Sequence, residues 1–89
     1  MTPIALVTGA SSGFGLLTAL SLAEAGAKVY ASMRNLKKRG DLEKLAAERG
    51  LQCEVVNLDV TDETSRREAL KYIENKEARL DILVNNAGY

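Results

Sequence analysis

Between a short apolar run, Pro3-Ile4-Ala5-Leu6-Val7, and a stretch whose apolar residues recur at helical spacing lies the segment Thr8-Gly9-Ala10-Ser11-Ser12-Gly13-Phe14-Gly15. Glycines this dense at a strand-to-helix junction constrain the fold more than any other part of the chain. Gly9 permits a sharp exit from the strand, Gly13 lets the backbone approach a pyrophosphate, and Gly15 lets the following helix lie close to a sheet. Amide N–H groups at the helix start would meet the anion, with the Ser11 and Ser12 hydroxyls as further donors. A plain structural turn also needs glycine, but the flanking strand and helix favour a nucleotide or dinucleotide loop. Phe14-Gly15 stands where an ATP-binding P-loop would carry Gly-Lys-Ser/Thr, so that phosphate-binding class is excluded.

The rest of the chain continues the alternation. After Gly13, Leu16, Leu20 and Ala23 share a helical stripe, Leu17 widens it, and Gly26 suits a left-handed stop. Lys28 to Met33 reads as a second strand around Val29-Tyr30. A basic stretch, residues 34–40, precedes a helix that Asp41 can cap, with Leu42, Leu45 and Ala46 facing the core and Gly50 ending it. A third strand runs from about Gln52 to Leu58. Thr61 or Asp62 can cap a third helix carrying Ala69, Leu70 and Ile73, and Leu80 to Val84 forms a fourth strand. The order is βαβαβαβ, and its helices are long enough for right-handed crossovers between parallel strands. The predicted class is α/β, a partial doubly wound Rossmann fold with sheet order 3-2-1-4. Only five residues follow the last strand. The chain therefore reads, over residues 1–89, as the N-terminal half of a dinucleotide-binding domain without its C-terminal catalytic half.

Composition closes off several chemistries. The sequence has no histidine and a single cysteine, Cys53, which removes Ser-His-Asp and Cys-His catalysis, an internal disulfide, histidine-based zinc sites and a thiolate cluster for metal. Twelve basic and twelve acidic residues balance to zero formal charge, giving no general attraction to nucleic acid or membrane. No secretory signal or spanning apolar stretch is visible, and a lone thiol suits a reducing compartment, so a cytoplasmic location is expected.

Three further segments bear on ligand binding. An NAD site usually has a carboxylate after the second strand to accept from the adenosine ribose, whereas this chain has Met33-Arg34 and no acid until Asp41. Arg34 instead offers a fork of donors to a 2′-phosphate, to which Lys37, Lys38 and Arg39 add diffuse attraction; the other reading of all four is a solvated basic helix entrance. Asp59-Val60 ends the third strand. Asp59 either accepts from an adenine amino group, with Val60 beside the ring, or serves as a turn acid before Thr61. Asn85-Asn86-Ala87-Gly88 suits a polar turn in which the amides bond neighbouring backbone and Gly88 reverses the chain. Tyr72 and Lys76 share one helical face at a Tyr-x-x-x-Lys spacing and are read as packing plus a solvated amine. Cys53 reads as a small strand side chain, and Arg66-Arg67-Glu68 as a wet helix face.

Taken together, the residues 8–15 loop, Asp59-Val60 and Asn85-Asn86-Ala87-Gly88 resemble the N-terminal half of a short-chain dehydrogenase/reductase, in order and spacing across essentially the whole chain. The resemblance implies NAD(P)-dependent alcohol or carbonyl redox activity in a complete protein, and residues 29–34 resemble the NADP-preferring version. Residues 29–39 also look like the hydroxysteroid and retinol dehydrogenase branches. The implied cofactor contacts are Gly9, Ser11, Ser12, Gly13, Phe14, Gly15, Arg34, Asp59, Val60, Asn86, Ala87 and Gly88. The family's catalytic asparagine, serine and tyrosine-lysine residues fall beyond Tyr89, so no catalytic residue is expected in this chain and little or no turnover from it alone. The expected partners are a dinucleotide, NADP before NAD, and a second copy through the incomplete sheet, with no metal, nucleic acid or membrane. The other reading is a small non-enzymatic nucleotide-binding or interaction protein built on half of a Rossmann fold.

Overall fold

The computed structural model describes residues 2–86. Its elements alternate along the chain: β1 (Ile4–Val7), α1 (Gly13–Glu24), β2 (Lys28–Met33), a 3-10 turn (Leu36–Lys38), α2 (Gly40–Arg49), β3 (Cys53–Asn57), α3 (Glu63–Glu77) and β4 (Ile82–Val84). The strands form one parallel sheet in the order β3-β2-β1-β4, as the alternation predicted. In register, Leu6 lies beside Tyr30 on one side and Leu83 on the other.

Alternate strand residues point to opposite faces, and each face has its own cover. Ala5, Val7, Val29, Ala31 and Met33 pack under α1 and α2 against Ala19, Leu20, Leu42 and Ala46. Ile4, Leu6, Tyr30 and Val56 pack on the other side against Ile73 of α3. All four β1 residues are buried, which is why that run is apolar without alternation. The β4 edge is the thinner part. Its central Leu83 is 60% exposed.

Helix ends follow local chemistry with one departure from the predicted pattern, and two core positions depart as well. At the end of α1, Gly26 takes φ 104° while its N–H bonds the Ala23 carbonyl and the Ala27 N–H bonds Leu22, a left-handed termination. Asp62 caps α3 by accepting from the Thr64 and Ser65 amides at 2.9 and 3.3 Å. Asp41, in contrast, does not cap α2. The 3-10 turn runs directly through Arg39 into a helix that starts at Gly40, so Asp41 falls in the first turn, where its charge faces the positive helix end. Leu17 does not widen the core stripe either: it is exposed, and Ala19 is buried instead. A helix lying this near the sheet has room for a methyl group there. Leu70 of α3 is likewise 43% exposed, leaving Ala69 and Ile73 as that helix's core contacts.

Candidate functional site

The parallel strands deliver their C-terminal ends to one side, and every predicted site residue that the structure describes lies there. The loop after β1 is set by its glycines. Gly9 has φ 64°, the Ala10 N–H bonds the Ser32 carbonyl at 2.9 Å, and Gly13 has φ 59° with open space where a side chain would stand. Gly15 is the tight position: a β-carbon there would lie 2.0 Å from the Gly9 carbonyl oxygen. Ser12 precedes α1 in extended conformation, and its hydroxyl makes no capping bond. The first amides of α1 therefore lack a side-chain acceptor from the capping position, and the arrangement suits an anion. Phe14 stands 81% exposed at the same end.

Thr8 ties this loop to β4. Its N–H donates to the Val84 carbonyl at 3.0 Å, and its Oγ1 accepts from the Asn86 N–H at 2.9 Å. The same hydroxyl lies 3.3 Å from Asn85 Oδ1, and Asn86 Nδ2 donates to the Gly9 carbonyl at 3.4 Å. Thr8 and Asn85 were not singled out as site residues in sequence; both act by holding others. The predicted contacts Ala87 and Gly88 lie outside the described residues.

At the end of β2, Arg34 is exposed. Its carbonyl accepts from Asn57 Nδ2 at 2.9 Å, and the same amide lies 3.4 Å from the Met33 carbonyl. Asp59 fulfils the turn-acid reading directly: Oδ1 accepts from the Thr61 hydroxyl at 2.6 Å and from its N–H at 3.0 Å. These bonds, with a weaker pull from the Arg34 guanidinium, hold the Asp59 carboxyl below its ordinary value. Val60 is half-buried and lines an open cavity of about 480 Å³ together with Leu6, Leu58, Leu70 and Leu83, with Thr8, Arg66 and Asn85 as its polar members.

A second cleft, of about 340 Å³, brings Ser11 and Ser12 opposite Lys37, Lys38, Gly40 and Asp41. The 3-10 turn makes this meeting, with Asn35 Oδ1 accepting the Lys37 N–H at 3.0 Å. Sequence reasoning gave the two lysines only a diffuse role; Asn35, a capping side chain two residues ahead of Lys37, was the local signal for the turn.

The remaining reactive side chains are tied up elsewhere. Tyr72 donates its hydroxyl to Glu54, and Lys76 Nζ reaches Glu54 Oε1 at 3.0 Å and the Tyr72 oxygen at 3.4 Å. This trio sits where the C-terminal part of α3 crosses β3, away from the glycine loop. Burial pushes the Cys53 thiol up to about 11, which keeps it protonated near neutral pH. Among the described residues no group of three His, Cys, Asp or Glu side chains is placed to hold a metal ion, and no helix is long and apolar enough to cross a membrane.

Comparison with known proteins bears on this arrangement. A family model described as short chain dehydrogenase matches residues 3–89. An uncharacterized oxidoreductase of Schizosaccharomyces pombe is 44% identical over 87 residues, which cover 96% of this chain and 26% of the relative. A serine 3-dehydrogenase of Agrobacterium fabrum is 41% identical over 88 residues, covering 99% of this chain and 34% of the relative. The fold matches the crystal structure of a metagenomic short-chain oxidoreductase in complex with NADP at TM-score 0.92 and 31% identity, over 98% of this chain and 39% of that one. The chain thus spans between a quarter and two fifths of the length of these relatives.

Proposed function

Since the chain belongs to the short-chain dehydrogenase family, we propose that it forms the adenosine- and pyrophosphate-binding part of an NADP-dependent oxidoreductase acting on an alcohol or carbonyl. The observation that carries the cofactor choice is Arg34. It stands at the end of β2 in place of a ribose-binding carboxylate, with its backbone held by Asn57.

In this reading the pyrophosphate meets the α1 amides between Gly13 and Gly15, with the Ser11 and Ser12 hydroxyls beside them. Gly13 supports the fit because the space a side chain would fill is open there. Arg34 pairs with the 2′-phosphate through its planar fork, and Lys37 and Lys38 add positive charge from across the cleft. Asp59 keeps Oδ1 on Thr61 and offers Oδ2 to the adenine amino group, with Val60 beside the ring. Phe14, Asn86, Ala87 and Gly88 complete the contacts, Asn86 by holding the Gly9 carbonyl. A bound dinucleotide supplies or accepts a hydride at its nicotinamide; this chain contributes binding and orientation.

The chain is read as the N-terminal half of its domain, with no turnover of its own, because among the described residues none at the strand ends is placed to manage a substrate proton. The thin β4 edge supports association with further polypeptide, a second copy included. A cytoplasmic setting suits the single half-buried thiol.

The test is titration with NADP and NAD. Arg34→Glu should weaken NADP binding at least about tenfold more than NAD binding, since a carboxylate replaces the phosphate's donors. Equal losses, or a native preference for NAD, overturn the assignment. NADPH consumption that follows the purified chain with several carbonyl substrates overturns the reading as a binding part.

A further inference from the structure

We infer that Asn57 is a positioning residue for cofactor discrimination, acting through the backbone of Arg34. The inference rests on the assignment of Arg34 to the 2′-phosphate and extends it to a residue that touches no ligand.

Met33 and Asn57 are register partners at the ends of β2 and β3, and the last backbone bond between these strands runs from the Leu58 N–H to the Met33 carbonyl at 3.1 Å. The Asn57 side chain continues that ladder where the main chain stops. Its Nδ2 donates to the Arg34 carbonyl at 2.9 Å and lies 3.4 Å from the Met33 carbonyl, one amide bracing two successive peptide units. Arg34 is exposed and lies between β2 and the 3-10 turn, and the Asn57 amide ties its carbonyl one peptide beyond the Met33 carbonyl that Leu58 holds. The brace fixes the direction in which the Arg34 side chain leaves the backbone. Only its own rotamers then remain to be ordered when a phosphate arrives, which reduces the entropic cost of making a forked contact. Asp59, two residues beyond Asn57, lies near enough to feel the Arg34 charge, so the end of β3 acts on Arg34 through both backbone and charge.

The experiment uses the full chain and two probes that differ only in the phosphate under discussion, 2′,5′-ADP and 5′-AMP, titrated against the parent chain and Asn57→Leu, Arg34→Ala and the double variant. Asn57→Leu keeps the side chain's approximate size and removes its donor. The expected result is a fall of about threefold to tenfold in the preference for 2′,5′-ADP, with 5′-AMP affinity nearly unchanged. In the Arg34→Ala background the same change should leave the ratio where it is. A general loosening of the fold would instead weaken both probes together, and that outcome overturns the inference. Asn57→Gln, which retains an amide donor, should recover most of the preference; its failure to do so in a folded variant also overturns it. If Arg34→Ala leaves the ratio unaltered, or neither probe binds the parent chain, the reading of Arg34 fails and this inference with it. If Arg34→Ala abolishes the preference and Asn57→Leu does not reduce it, only the role of Asn57 is rejected.

Discussion

Gly15 sits so close to Gly9 that a β-carbon on the former would stand 2.0 Å from the carbonyl oxygen of the latter and 2.7 Å from Asn86 Nδ2. The contact is backbone against backbone, so no side-chain rotation relieves it. Gly13 differs: its neighbourhood is open, and only its φ of 59° favours glycine. Gly15→Ala should therefore cost about 3 kcal/mol or more and displace the loop, whereas Gly13→Ala should cost about 1–2 kcal/mol. Urea denaturation of the two variants checks the order; equal stabilities would contradict the loop geometry.

Thr8 is 3% exposed and serves the Asn86 N–H as its acceptor. Thr8→Val keeps the shape and removes the oxygen, leaving a polar group at the end of β4 without that partner. A loss of about 1–3 kcal/mol is expected. Amide exchange should accelerate at Asn86 more than in β2; uniform acceleration would mean that Thr8 supports the fold in general rather than this junction.

The lower part of α3 is held by Glu77, which accepts from the Tyr30 hydroxyl and pairs with Lys28 Nζ at 2.5 Å. Lys28 and then Tyr30 hold the Glu77 carboxyl below its ordinary 4.5, so this contribution is present above that pH and is lost as pH falls through the depressed value. Glu77 raises Lys28 above 10.5, while burial and then Glu77 raise Tyr30 above 10.0. Those contributions are intact below the ordinary values and disappear as pH rises through the elevated ones. Melting temperature should accordingly decline at both extremes, and Glu77→Gln should flatten the acid limb. An unchanged acid limb in that variant would show that the clamp does not contribute.

Ala78 ends α3 at φ 62°, the one non-glycine residue with positive φ among those described. Its N–H bonds the Glu74 carbonyl at 2.8 Å, so the conformation is the helix termination itself. Ala78→Gly should raise stability by about 0.5–1 kcal/mol, relief of strain exceeding the added freedom of the unfolded chain. Thermal unfolding decides the sign.

Legibility in sequence followed the range of the interaction. The β1 run, the glycine loop and the Gly26 and Gly50 terminations are local patterns, and the structure places them where those patterns predict. Asp41 was misread as a cap because the 3-10 turn that Asn35 caps carries the chain directly into α2 at Gly40. Leu17 and Leu70 fit a helical stripe, yet which edge of the stripe meets the sheet depends on how closely each helix approaches. Thr8 with Asn86, and Asn57 with Arg34, were invisible for a stronger reason: each pair exists only once distant strands lie side by side.

The first strand lies beside the last. The Ile4 N–H is bound by the Asp81 carboxylate at 2.8 Å across 77 positions, and Thr8 meets Asn86 across 78. During ribosomal synthesis β1, β2 and β3 can pair while β4 is still being made, but no order of events supplies Asn86 early. Contacts of such sequence separation carry the largest closure cost and form late. The glycine loop is thus translated well before Asn86 and is among the last segments to acquire its lock, and a ribosome paused short of Asn86 holds a nascent sheet whose glycine turn has no second wall.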